Sequence, residues 1–221
     1  HNSNSFFSKL NVFFSVVLSS KIVTHAKSGK NYLIDKYGKL MNPNKLEFIY
    51  HPVYSSELMT FEKKEVKYDY IIWGTISPYK GIYAFLEFVK NNPDFKNKRI
   101  LICGKVSSKD FYDKLLVFDL ENVKIIDAFI TEEKLREYIA ISSVILFVYS
   151  SNSVLSSGAL TKSLNYNKPI VGPRKGAFKD LYEEGLISCF SSYDEIFSNG
   201  FFYDKNKNKK FLNVNTWVKL I

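Results

Sequence analysis

Three short runs of unbroken apolar character, "YIIW" from Tyr70, "ILIC" from Ile100 and "VILFV" from Val144, recur along the chain with a fourth, "KIID" from Lys124, that is apolar between charged ends; in chain order their starts are 30, 24 and 20 residues apart. A strand with one face in water alternates apolar and polar residues. A continuously apolar strand is buried on both faces, as in a parallel sheet. Between the runs lie stretches of helical period. "KGIYAFLEFVKNN" puts Ile82, Phe85, Leu86 and Val89 on one side. "SSKDFYDKLLVF" opens on a serine cap, and "TEEKLREYIAIS" opens on Thr131 with two glutamates in its first turn. A further short strand is expected at "PIVG". Strand–helix alternation of this kind predicts a doubly wound α/β domain with helices on both faces of a parallel sheet.

The first 54 residues carry a shorter version of the same rhythm. Phe6, Phe7, Leu10, Phe13, Phe14, Val17 and Leu18 fall at helical spacing over residues 4–19. This helix reads as core or interdomain packing in preference to a membrane-facing surface. "KIVTH" and "LEFIYHP" read as strands around a helix at "SGKNYLIDKYGKL". The charged stretch "SSELMTFEKKEVK", residues 55–67, reads as a linker. The chain then divides into 1–54 as the remnant of one domain with its crossover, 55–67 as linker, 68–200 as a second domain, and 201–221 as a C-terminal segment packing back on the first part.

The 221 residues suffice for one sizeable core and part of another. The chain begins at His1 without an initiator Met and is read as part of a longer protein. A formal net charge of +9 favours anionic partners. The lysines are scattered, and the one dense run, "DKNKNKK" at 204–210, reads as a low-complexity solvated basic surface, not a nucleic-acid face. Cys103 and Cys189 lie in apolar runs and read as buried strand thiols, which suits a reducing cytoplasm. Three histidines far apart in sequence argue against a metal site. No apolar run approaches the roughly 20 residues of a membrane span.

In an open parallel sheet, ligands bind beyond the carboxyl ends of the strands. The loops to read are therefore "GTISPYKG", "GKVSS", "AFIT" and "YSSNSVLSSG". Neither the dinucleotide fingerprint nor the P-loop is present. Ser156, Ser157 and Gly158 are expected in the first turn of a helix, where free N–H groups attract an anion. Lys80, beside Gly81, would add a point charge. Simple capping serines and a surface lysine are the alternatives.

At these residues the chain resembles a known family. "IIWGTISPYKGIYAFLEFVK", "RILICGKV", "ENVKIIDAFITEEKLREYIAISSVILFVY" and "SSGALTKSLNYNKPIVG" look like the C-terminal domain of the group 1, sugar-nucleotide-dependent GT-B glycosyltransferases. "IVTHAKSGKNYL" and "FIYHPVY" resemble the end of the N-terminal domain and its crossover. The resemblance implies a Rossmann-like C-terminal half and a truncated N-terminal one, with about 150 further residues needed for a whole enzyme. It implies that Lys80 contacts the donor diphosphate and that Ser156, Ser157 and Gly158 cradle it. It implies that Gly74, Thr75, Gly81, Gly104 and Lys105 shape the same crevice, and that Phe129 and Ile130 lie where such enzymes hold the base. His1 matches the N-domain histidine near the sugar. Departures stand beside these matches. The family often has Arg where this chain has Thr75, and glutamates where it has Val154 and Lys162.

The function implied is transfer of a sugar from a nucleotide-sugar to a glycan or lipid-linked acceptor in cell-surface polysaccharide synthesis. Lys80 and His1 are the catalytic candidates, with no metal or cofactor besides the donor. The missing glutamates favour a second reading, a degenerate domain that binds nucleotide or a partner without turnover. Nucleic acid is not an expected partner. The expected location is cytoplasmic, with peripheral association at an anionic inner membrane face. This stretch alone is expected to be inactive in transfer while still binding donor.

Overall fold

The computed structural model describes residues 6–53, 55–62, 64–150, 154–198 and 200–217. The first part runs α1 (Phe6–Leu18), β1 (Ile22–Thr24), α2 (Lys27–Tyr37) and β2 (Leu46–Phe48). Strands β1 and β2 pair in parallel, with Thr24 opposite Phe48. Their core is small: Val16, Tyr37, Met41 and Leu46. Helix α1 departs from the packed helix expected. Its Val16 is buried, while Leu10, Val12, Phe14 and Leu18 are exposed.

The second part is built on six parallel strands: β3 (Tyr68–Trp73), β4 (Ile100–Gly104), β5 (Val123–Asp127), β6 (Ser142–Leu146), β7 (Ile170–Pro173) and β8 (Ser188–Phe190). Their order across the sheet is β5-β4-β3-β6-β7-β8. Counted from β3, this is the doubly wound order 3-2-1-4-5-6, whose direction reverses between β3 and β6. All five residues of β4 are buried, as an unbroken apolar run demands. The edge strand β5 exposes Lys124.

Helices α3 (Ile82–Asn91) and α4 (Lys109–Leu116) cover one face, α5 (Glu132–Ala140) and α6 (Gly158–Ser163) the other. The expected caps are present. Ser108 Oγ accepts from Phe111 N at 3.3 Å, and Thr131 Oγ1 from Lys134 N at 3.3 Å. Cys103 and Cys189 are free and buried in strands.

Three more helices follow: α7 (Gly176–Glu183), α8 (Glu195–Ser198) and α9 (Lys205–Val214). The basic run at 204–210 is therefore not a featureless segment. Asp204 caps α9, accepting from Asn206 N and Lys207 N at 2.9 and 3.0 Å. The lysines face solvent, while Asn208 and Leu212 are buried. Helix α9 and the residues after it return to the first part. Phe211 meets Tyr50 at 5.2 Å between ring centroids, and Val53 N donates to Asn215 O at 2.8 Å.

Candidate functional site

The strand order reverses between β3 and β6, the place where open parallel sheets bind ligands beyond their carboxyl ends, and Lys80 lies in the loop that leaves β3. The loop from Gly74 to Gly81 leaves β3 and closes in a single tight turn, Pro78–Lys80, before α3. Gly81 has φ +75°, and a Cβ there would lie 2.0 Å from Val148 O. Only glycine lets this loop lie against the end of β6. The ammonium of Lys80 consequently reaches the mouth of α6. It bonds the Tyr149 hydroxyl, which lies 3.0 Å from Ser157 Oγ. A Cβ built on Gly74 would be 3.8 Å from both Lys80 Nζ and Ala159 Cβ. Gly74, Lys80, Tyr149 and the start of α6 thus form one cluster.

Burial holds the Lys80 ammonium below its ordinary value, partly offset by Tyr79. Among the described residues no carboxylate pairs with it. A half-desolvated cation without a counter-ion is a site that gains from an anion. The N–H groups of Gly158 and Ala159 begin α6 and have no intrahelical acceptor. Gly158 is exposed, and a Cβ built on it would meet nothing within 4 Å.

The three small residues at 156–158 divide differently from expectation. Helix α6 starts at Gly158, not at Ser156. Ser157 is its cap, buried, its Oγ accepting from Leu160 N at 3.2 Å. Its hydroxyl serves the helix and Tyr149. Ser156 is exposed and faces a different group, His25, Tyr50 and His51.

The neighbouring loops reach the same edge. The loop after β3 runs beside the loop after β4, with Ile76 N donating to Lys105 O at 2.9 Å and Ser107 N to Ile76 O at 2.8 Å. Gly104 permits this, since a Cβ there would lie 1.9 Å from Gly74 O. Lys105 turns to Asp127, 3.2 Å away, so its charge is already matched. Asp127 also accepts from Val106 N at 2.8 Å, which, ahead of Lys105, holds its carboxyl below the usual range. Thr75 is exposed. Phe129 is 86% exposed, an aromatic face offered to solvent, while Ile130 packs on the core. His1 lies outside the described residues.

Beside this edge, Lys162 on α6 pairs with Glu132 at the start of α5. Burial would raise the Glu132 carboxyl, but the Lys162 bond and charge, with Tyr166 and Arg136, hold it low. Val154 is buried. Neither position that the resemblance associates with a glutamate offers a carboxylate, yet Glu132 supplies one from another helix.

Tyr149, Glu132 and the His25–His51 pair escape sequence reasoning. Tyr149 reads as the last residue of an apolar strand, and Glu132 as a helix-dipole residue. The histidines are 26 positions apart, but the parallel pairing of β1 and β2 brings their rings to 5.1 Å. Each Nδ1 is bound to a carbonyl, Ile49 O at 2.9 Å and Pro52 O at 3.0 Å. The cavity they share with Ser156 and Ser157 is about 20 Å³, room for one water and too small for a phosphoryl group. Among the described residues no group of three His, Cys, Asp or Glu is placed to hold a metal ion.

No family model matches the sequence, and no curated protein matches it. Solved structures do match. Sucrose-phosphate synthase from Thermosynechococcus elongatus superposes with TM-score 0.72 at 11% identity, over 99% of this chain and 60% of its own. Anabaena HepE, solved with UDP-glucose, gives 0.65 at 12%, over 93% and 56%. The lipopolysaccharide outer core galactosyltransferase WaaB gives 0.64 at 12%, over 91% and 59%. The chain therefore spans 60% or less of the length of these three proteins. The shared fold is that of the group 1 GT-B glycosyltransferases, with the six-stranded parallel sheet as its Rossmann-like half.

Proposed function

We propose that this chain is the donor-binding half, with part of the acceptor-side half, of a sugar-nucleotide-dependent glycosyltransferase of GT-B architecture. The observation that carries the reading is the Lys80–Tyr149–Ser157 cluster at the crossover of a doubly wound sheet. It presents a half-buried cation with no carboxylate partner among the described residues beside the first N–H groups of α6, the chemistry that holds a diphosphate. As the sugar leaves, charge develops on that diphosphate. A fixed ammonium and fixed N–H dipoles stabilise it without reorganising at that moment. Lys80 is the catalytic residue in this sense.

The other donor parts are assigned around it. Phe129 is the stacking face for the base, with Ile130 behind it. Glu132, oriented by Lys162, takes the ribose hydroxyls in place of the absent glutamates. Gly158 gives the diphosphate room to approach. The acceptor is a glycan or lipid-linked glycan of surface polysaccharide synthesis, met at the cytoplasmic side of a membrane, and no metal is required.

A second reading, a degenerate domain that binds nucleotide or a partner without turnover, draws on two observations: Val154 is buried, and Lys162 is already engaged by Glu132. Phosphorus NMR addresses the shared premise. Titrating the protein into UDP or GDP is expected to broaden the phosphate resonances of one of them, and Lys80→Met to abolish the effect. Unbroadened lines with folded wild-type protein would remove the first reading and leave of the second only a module that binds a partner. Slow hydrolysis of the matching nucleotide-sugar, lost in Lys80→Met, separates the first from the second.

A further inference from the structure

A larger cleft, about 520 Å³, lies beyond the carboxyl ends of β6, β7 and β8, on the α3 side of the sheet. It adjoins the Lys80 cluster through Tyr149, which lines it, but no other residue of that cluster does. Its volume is in the range of small-ligand sites. Three kinds of group meet there.

The first is cationic. Arg174 and Lys175 follow β7 directly. Arg174 lies over the Tyr182 ring, 4.8 Å from its centroid, and Lys175 Nζ has one weak contact, Ser150 O at 3.5 Å. Among the described residues neither pairs with a carboxylate. The second is aromatic. Phe88 and Tyr193 meet at 5.3 Å between ring centroids, tilted by 51°, and are only half-buried. The Tyr193 hydroxyl is occupied, donating to Val148 O at 3.4 Å, so its ring is fixed. The third is hydroxyl-rich: Ser150, Ser191 and Ser192 are all exposed in the same lining. Asp194 is the acidic group of the lining.

Half-exposed rings offer a platform for the apolar faces of a pyranose. Hydroxyls match its hydroxyls. Two unpaired cations demand an anion, and a planar Arg already held on a ring loses little freedom in binding one. A nucleotide base would also find aromatic rings, but the Lys80 cluster lies to one side. We propose that this cleft binds a saccharide bearing a carboxylate, sulfate or phosphate, and so anchors an acidic glycan next to the Lys80 site. Binding itself stands on the cleft alone. The role as an acceptor anchor rests on the transferase reading.

Calorimetric titration of the chain with three tetrasaccharides tests it: one of uronic acids, one sulfated, one neutral. An acidic tetrasaccharide is expected to bind, and the neutral one at least about ten-fold more weakly. The uronic and sulfated arms identify which acid is preferred. Arg174→Ala with Lys175→Ala is expected to remove the binding, while Lys80→Ala and the surface control Lys96→Ala leave it intact. Retained nucleotide binding in the double variant shows that it is folded, and keeps failure here distinct from failure of the donor site. No binding by either acidic sugar overturns the proposal. So does equal binding of the neutral sugar, equal loss in Lys96→Ala, or inorganic sulfate competing as well as the tetrasaccharide does.

Discussion

Residues 68–198 and residues 6–53 are both parallel strands flanked by helices, but they are held together very differently. The six-stranded sheet has a core on each face, with Phe85, Phe95, Phe147 and Phe178 fully buried. The β1–β2 pair has four buried apolar residues in its own cluster. It relies on contacts across to α7 and α9. Lys27 N donates to Asp180 Oδ2 at 2.9 Å, Tyr50 OH to Glu184 Oε1 at 2.7 Å, and Tyr50 meets Phe211 edge to face. Helix α2 has no cap of its own at Ala26, so Asp180 caps it from the other part. The sheet thus carries its own two-sided core, while the first part leans on α7 and α9 for much of its packing.

The largest expected effect sharpens that contrast. Phe85→Ala should cost about 3–5 kcal/mol and lower the main denaturant midpoint. Met41→Ala, in the small cluster, should instead raise amide exchange in β1 and β2 while leaving that midpoint nearly in place. Equal shifts of the midpoint would mean one cooperative unit and break the comparison.

Asp180→Ala comes next, with a loss of about 1 kcal/mol from the missing cap, read as local exchange in α2. Burial pushes the Asp180 carboxyl up, against the backbone bond from Lys27. A raised folded value means its contribution is fullest below the unfolded carboxylate value and is lost as pH rises through the folded one. Asp180→Asn should therefore flatten the pH dependence of that local opening. An unchanged profile would place the titration elsewhere.

The thiols give a cleaner contrast between interior and surface. Burial pushes both Cys103 and Cys189 up to about 12. Neither should react with a thiol reagent near neutral pH until the sheet unfolds. Labelling of either in the folded protein would show that the sheet opens locally.

The smallest effect concerns Glu132. Glu132→Gln should weaken a ribonucleotide several-fold and the 2′-deoxy analogue less, since that analogue keeps only one of the two hydroxyls a charged carboxylate would accept from. Equal loss for both would reduce Glu132 to a partner of Lys162.

Much of this was legible in the chain. Unbroken apolar runs announce buried parallel strands, and the loops after them include the one carrying Lys80. The strand order became visible only with the pairing. The site's chemistry was harder to read. Tyr149 is a strand residue by pattern, and its role exists only because Gly81 lets one loop lie on another. His25 and His51 meet through strand pairing, which no local spacing records. The basic run at 204–210 misleads for a related reason. Its lysines conceal Asn208 and Leu212, which bury one turn apart, and the capping Asp204 is the only local sign of a helix.

The central claim is that Lys80 holds a nucleotide diphosphate at the crossover of the sheet. A thermal-shift titration against UDP, GDP, ADP and CMP, with Lys80→Ala alongside, tests it most directly. Occupancy at a hundred times Kd stabilises a protein by about 2.7 kcal/mol. For a chain of this size that is a rise in Tm of roughly 5–10 °C. Such a rise is expected with one nucleoside diphosphate, little with the monophosphate, and none in the variant. No rise with any nucleotide in folded protein, or the same rise without Lys80, would contradict it.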